Sequence, residues 1–318
     1  MNSTREQRIE EILFRGDALR LSNARYRGTV RKLTDLLLAV DLASNDVTAK
    51  ALRLPPRKIR AAVISQQGGV AAGLDEFRFL MEGRGIKVVA EKNDGDAMVP
   101  GEVLLRAEGQ ETTLLALERV GLNLLQRMSG IATMARCFKE RAGRSGPARV
   151  VGTRKTLWGL LDKRALHLGG AGTHRLGLGD AILIKNNHLT LLAPSEELAA
   201  PVAIERAWKA RQKAAFIEVE VRGAAAARAA ARTFRRLREE GTEEYPCLLL
   251  LDNLPPDQIG TTLDMLRQES LWDHVLVEAS GGISETNIEA YAATGADAIS
   301  VGALTHSARA LDLCLRIA

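Results

Sequence analysis

Aromatic residues are scarce in this chain of 318 residues: three Trp, three Tyr and six Phe make up 4% of it. The core must therefore be built from Leu, Ile, Val and Ala, and the stacking platforms of a single-strand nucleic-acid binder are missing. Only three cysteines occur, Cys137, Cys247 and Cys314, and they share no metal or redox spacing. They read as reduced core thiols of a cytoplasmic protein, not as a disulfide framework. No apolar run approaches the ~20 residues of a membrane span. Arg5, Glu6, Arg8, Glu10 and Glu11 argue against a signal peptide at the start. The net charge of +5 is not a basic patch, because Lys and Arg are interleaved with Asp and Glu, as in RTFRRLREEGTEE at 232–244. A solvated helix face accounts for that pattern, so no nucleic-acid partner is expected.

Two rhythms are present. Residues 1–118 mix helix and strand patterns: TDLLLAVDLA (34–43) reads as helix, and RKIRAAVISQQGGVAAG (57–73) as a strand with a Gly-rich turn. IKVVAEKNDGDAMVPGEVLLRAEGQ (86–110) reads as hairpin-like strands around a DG turn. An apolar-striped helix follows over 112–142, with Gly130 predicting a bend or break. After about residue 148 short apolar strands alternate with helices. The strands are 148–153, 181–185, 216–221, 247–252, 274–279 and 297–302. Continuous apolar strands between helices are the mark of parallel strands buried on both faces. The fold class is α/β, as a barrel complete or open on one side, with an open doubly wound sheet as the alternative.

Nearly every one of these strands ends in chemistry. The ends carry, in turn, Arg154 and Lys155; Lys185, Asn186 and His188; Glu218 and Glu220; Asp252 and Asn253; Glu278 and Ser280; and Gly302. His174 and Arg175 follow a Gly-rich turn between the first two. In α/β barrels the functional face lies at the C-terminal strand ends. The cations suit a small, highly charged anion. Ser280, Gly281, Gly282 and Gly302 form two adjacent Gly-containing loops before helical segments, as a phosphate site requires. Glu220 and Asp252, at neighbouring ends, suit Mg²⁺ held with substrate phosphates, or a cationic transition state. Other readings of the same residues are a barrel lyase using Lys155 or Lys185 as a Schiff-base nucleophile, and carboxylates that merely pair with Lys185 or Arg154.

At these residues the chain resembles the quinolinate phosphoribosyltransferase (carboxylating nicotinate-nucleotide pyrophosphorylase) family. The matching pieces are LLLAVDLASNDVTA (36–49), LERVGLNLLQRMSGIAT (117–133), TRKT (153–156), GGAGTHRLGL (169–178), ILIKNNH (182–188), IEVEV (217–221), LLDN (250–253), EASGGI (278–283) and TGADAISVGALTH (294–306). The resemblance implies an N-terminal α/β sandwich domain over 1–118, on which a C-terminal helix at 307–318 would pack. It implies an open seven-stranded α/β barrel over 119–306 and a homodimer with shared active sites. The implied reaction transfers phosphoribose from phosphoribosyl pyrophosphate (PRPP) to quinolinate with Mg²⁺, giving nicotinate mononucleotide, pyrophosphate and CO₂ for NAD synthesis. By motif, Arg154, His174, Arg175 and Lys185 would bind quinolinate, with Arg119 reaching in from the partner subunit. Lys155 would lie between the substrates. Glu220 and Asp252 would hold the metal and face the ribose. Ser280, Gly281, Gly282 and Gly302, with Lys155 and Lys185, would take the phosphate groups. The chain has Gly152, Thr173 and Asn186 where the family commonly has Asp, Asn and Asp. A paralogue using another aromatic acid, such as the molybdenum-transport-associated relative, is the alternative.

Overall fold

The computed structural model describes residues 4–42, 46–53, 55–241 and 245–317. In chain order the first elements are α1 (Arg5–Leu13), α2 (Ala24–Asp41), α3 (Val47–Leu52), β1 (Lys58–Ser65), β2 (Gly69–Val70), α4 (Leu74–Glu82), β3 (Lys87–Ala90), β4 (Ala97–Met98), β5 (Val103–Gln110) and α5 (Glu111–Ser145). Then follow β6 (Arg149–Val151), α6 (Leu160–Leu168), β7 (Ile182–Ile184), α7 (Asn186–Thr190), α8 (Glu196–Lys209) and β8 (Ile217–Val221). The chain ends with α9 (Ala224–Glu240), β9 (Cys247–Asp252), α10 (Pro256–Gln268), β10 (Leu276–Ser280), α11 (Ile288–Ala292), β11 (Ala298–Ser300), α12 (Ala303–His306) and β12 (Leu313–Ile317). Two compact units result. One comprises Met1–Arg15, Cys137–Lys155 and Ala171–Ala303, the other Gly16–Arg136, Thr156–Gly170 and Leu304–Ala318.

The first unit holds a six-stranded sheet in the order β6-β11-β10-β9-β8-β7, with every pair parallel. Read from β7 to β11 this is chain order, and the last strand, β11, pairs with the first, β6. Such a cyclic order fits a barrel open at one seam. The expected seventh strand is reduced to a single parallel bridge, Val151 with Gly172. The cause is local sequence: GGAG (169–172) has no β-branched side chains to stiffen a strand. The continuous apolar runs behave as expected, with Cys247–Leu251 buried throughout.

α1 covers the N-terminal strand ends. Ile9, Ile12 and Leu13 recur at helical spacing and join Ala181, Phe216, Leu248, Leu276 and Ala298 in one buried cluster. Arg5 fixes the helix start, its Nε 2.8 Å from Asp297 Oδ1. Residues 4–15 thus belong with the parallel sheet and not with the N-terminal domain expected over 1–118, and the later division falls between Arg136 and Cys137. With one end closed by α1, the opposite end is left for chemistry.

The second unit carries the antiparallel sheet β12-β1-β5-β3 and the small ladder β2-β4. The DG turn is present, with Gly95 at φ 95° between β3 and β4. The last segment, expected as a helix over 307–318, is instead the strand β12, paired antiparallel with β1 from Ala61–Ile317 to Ser65–Leu313. LCLRI alternates well enough to cover an open edge, and pairing satisfies a row of backbone groups that a helix would leave bare. α6 also belongs here. Its Asp162, fully buried, accepts from Arg127 Nε (2.9 Å) and Nη2 (2.7 Å) and from the backbone N–H groups of Leu157 and Trp158. α5 also departs from expectation, running unbroken through Gly130. A Cβ there would lie 2.0 Å from the Arg309 carbonyl oxygen, so this glycine marks a close approach of backbone, not a break.

Candidate active site

A cavity of about 210 Å³ opens at the C-terminal ends of the parallel strands. Arg154, Lys155, His174, Arg175, Lys185, Glu220, Asp252 and Ser280 all line it, together with Thr153, Leu183, Leu250, Glu278 and Ser300. Most of the charged residues are delivered by strand ends. Arg154 and Lys155 leave β6, where the Lys155 N–H donates to Thr153 Oγ1 at 3.1 Å. Lys185 leaves β7, and its N–H donates to His188 Nδ1 at 2.8 Å. Glu220 and Asp252 leave the paired strands β8 and β9, where Glu220 stands opposite Leu250.

The cations are the most informative part. Arg175 is buried, with 6% of its surface exposed. Burial first, then the like charge of Arg154, works against its guanidinium, while Glu218 and Asp180 offset this only in part. Guanidinium does not release its proton in proteins, so an anion placed beside Arg175 and Arg154 would offset the unfavourable burial and like charge. Arg154 makes no hydrogen bond or ion pair among the described residues. Two arginines held together without a matched carboxylate are a prepared anion site.

His174 sits beside them at φ 52°, in the left-handed region. Its Nδ1 accepts the Arg175 N–H at 2.7 Å, and its own N–H donates to the Leu13 carbonyl at 2.9 Å. Its Nε2 lies 3.2 Å from Glu218 Oε2 and 3.1 Å from Glu278 Oε2, both fully buried. Burial opposes charging the ring, but Glu278 and Glu218 outweigh it and push its pKa up to about 9. Burial and the neighbouring Glu278 likewise raise Glu218. In the orientation seen here Nδ1 accepts a hydrogen bond, so the ring holds its proton on Nε2, and taking up the second proton that the two glutamates favour would require the Arg175 N–H to turn away. Both ring nitrogens face protein groups, Nδ1 the Arg175 N–H and Nε2 the two glutamates. This refines the expectation for His174, which here holds the Arg175 backbone in place.

The phosphate loops hold one surprise. Gly281 at φ 95° and Gly282 at φ 60° need glycine, and a Cβ on Gly281 would strike Asn253. The helix expected to follow directly is only Ile288–Ala292, and the one after Gly302 only Ala303–His306. Helices this short add little dipole, so a phosphate here would rely on loop N–H groups and Ser280. Gly281, Gly282 and Gly302 border the cavity ends of β10 and β11 and are not among its lining residues. Arg119 is exposed on α5, in the other unit, and has no charged partner among the described residues.

Sequence reasoning did not find the Glu218–His174–Glu278 cluster. The available signal was a carboxylate inside an otherwise apolar strand, IEVEV and LVEAS, which demands a buried partner. The unusual residues have separate explanations. Thr173 is buried and bonds the Leu13 carbonyl at 3.1 Å, so it serves α1 and not the cavity. The Gly152 N–H donates to the Gly172 carbonyl at 2.9 Å across the bridge that replaces a strand.

A parallel α/β fold with paired cations and paired carboxylates at its C-terminal strand ends defines an enzyme that brings an acid together with a phosphorylated partner. Residues 131–316 match the C-terminal domain, and 46–129 the N-terminal domain, of quinolinate phosphoribosyl transferase. The chain belongs to this family. It is 37% identical over 284 residues to a probable nicotinate-nucleotide pyrophosphorylase (carboxylating) of Methanothermobacter thermautotrophicus, covering 88% of this chain and 96% of that one. It is also 37% identical to the nicotinate-nucleotide pyrophosphorylase (carboxylating) of Mycobacterium leprae, covering 85% and 90%. Among solved structures, NadC from Streptococcus pyogenes superposes with a TM-score of 0.78 at 30% identity, covering 91% of this chain and 96% of that one.

Proposed function

We infer that this protein joins quinolinate to PRPP and releases CO₂, forming nicotinate mononucleotide in NAD synthesis. The carrying observation is the unbalanced Arg154–Arg175 pair facing a cavity also lined by Lys185. Quinolinate has two adjacent carboxylates, and charge-assisted bonds to both would relieve the cation tension. Holding them also aims the ring nitrogen at the ribose. The C1′–N bond forms from the ring nitrogen lone pair as the C1′–O bond breaks onto pyrophosphate. The cationic ring then accepts the electron pair of the breaking bond to CO₂, and a proton takes its place.

Glu220 and Asp252 fit Mg²⁺. Glu220 Oε1 accepts the Asn186 N–H at 3.2 Å and Asp252 Oδ2 the Asn253 amide at 2.8 Å, so each keeps one carboxylate oxygen without a hydrogen bond among the described residues. Two hard oxygens on neighbouring strands, completed by phosphates and water, are the donor set magnesium prefers. The ion would neutralise charge on the departing pyrophosphate. Both carboxylates also face the charge that develops at C1′.

No helix among the described residues is long and apolar enough to cross a membrane, and with three free cysteines this supports a cytoplasmic enzyme. A homodimer with shared sites is supported by Arg119, exposed and unpaired, and by apolar residues bared on two helices of its unit. Leu36 and Val40 on α2 are 60% and 70% exposed, Val47 and Leu52 on α3 72% and 62%. The test of function is a comparison of acids. Quinolinate should turn over with PRPP and Mg²⁺, and nicotinic acid should be at least about a hundredfold worse in kcat/KM, because losing one carboxylate leaves the buried Arg175 and its neighbouring cations short of a matching anion. Equal turnover of the two acids would overturn the reading.

A further inference from the structure

Arg222 leaves the end of β8, two residues after Glu220, and its side chain is 51% exposed. Its Nε lies 3.6 Å from Asp252 Oδ2. Its fork rests on Asn186: with that amide in the orientation that satisfies all its neighbours, the oxygen accepts from Nη1 at 3.0 Å and Nη2 at 3.2 Å, and the nitrogen donates to Glu196 Oε1 at 2.9 Å. Glu196 in turn accepts the Arg222 N–H at 2.8 Å. An arginine fork is thus held in position by a neutral oxygen where a carboxylate would bind it about twice as strongly. Among the described residues its one ion pair is with Asp252, at more than hydrogen-bond distance.

We propose that Arg222 is the cation that binds the pyrophosphate group of PRPP, and that Asn186 keeps it available for that task. In the free protein Arg222 offsets the charge of Asp252. When PRPP enters, its fork can turn onto diphosphate oxygens, a geometry that guanidinium matches in bidentate fashion. As the C1′–O bond breaks, the electron pair goes to pyrophosphate, and a fixed cation there stabilises the leaving group. An aspartate at position 186 would instead hold the fork as a full ion pair. The absence of that carboxylate, at a position where the family commonly has one, thereby acquires a role. This inference rests on the proposed reaction.

The test is calorimetric titration of Mg²⁺–PRPP into protein saturated with benzene-1,2-dicarboxylate, which offers two carboxylates but no ring nitrogen to attack. Arg222→Gln should weaken PRPP binding about tenfold or more, and Arg222→Lys should recover part of the loss, since lysine keeps a point charge for the phosphate but not the fork. Asn186→Asp should weaken PRPP severalfold. Quinolinate binding to the protein alone should stay within about twofold in all three, since its cations are elsewhere. PRPP affinity unchanged in Arg222→Gln, or PRPP and quinolinate weakened alike, would overturn the assignment. Wild-type protein that binds PRPP but forms no nicotinate mononucleotide would overturn the reaction and leave the Arg222 result intact.

Discussion

At the scale of single residues, buried charge does the specifying. Tyr26 donates its hydroxyl to Glu76 Oε1 at 2.6 Å, and Glu76 is 1% exposed. Burial first, then the neighbouring Asp94 carboxylate, raises the Glu76 pKa well above the usual glutamate range. The folded protein therefore retains a proton that the unfolded chain gives up. Its stabilising effect is complete below about pH 4.3 and is lost as pH rises toward neutrality, because only the unfolded state ionises freely in that window. Glu76→Gln keeps the hydrogen bond from Tyr26 and removes the titration. Its melting temperature should fall less than the wild type's between pH 4.5 and 7.5, and a parallel pair of curves would show that Glu76 does not titrate abnormally. None of this was visible in the sequence, where Tyr26, Glu76 and Asp94 lie far apart and look like surface residues. The strand-end cations and carboxylates were visible, because strand direction alone puts them on one face. The His174 cluster was not, because which carboxylate turns inward is decided by packing.

At the scale of elements, hydrophobic rhythm identified the parallel strands within a residue or two, and the DG turn placed the β3–β4 connection. Two elements misled. The strand β12 was read as helix because five residues carry too little periodicity to outweigh the expectation of a closing helix. Gly130 was read as a break, since sequence cannot show that a distant backbone needs its missing side chain. Gly130→Ala tests that explanation. Helix propensity alone would favour alanine by roughly 1 kcal/mol. A methyl group 2.0 Å from the Arg309 carbonyl must instead displace backbone, which should destabilise by about 1–3 kcal/mol net in chemical denaturation. A stabilised variant would mean that the glycine is only a weak point in α5.

At the scale of the whole molecule, the proposed homodimer with shared sites carries an arithmetic prediction. Arg119→Ala and Glu220→Ala should each be nearly inactive as homodimers. When the two are unfolded and refolded together, half the dimers are mixed, and in each of these one site collects both defects and the other neither. Activity should recover to about a quarter of wild type. No recovery, with mixed dimers verified by native mass spectrometry, would place Arg119 in its own subunit's site or outside any site. The central claim is that the unbalanced arginine pair exists to hold a dicarboxylate through glycosyl transfer and loss of CO₂. Quinolinate labelled with ¹³C in the carboxylate next to nitrogen, incubated with PRPP, Mg²⁺ and the protein, tests this most directly. The account predicts unlabelled nicotinate mononucleotide and labelled CO₂ in equal amounts by mass spectrometry, and little product from Arg175→Ala. Label retained in the nucleotide, or product formation undiminished in that variant, would contradict it.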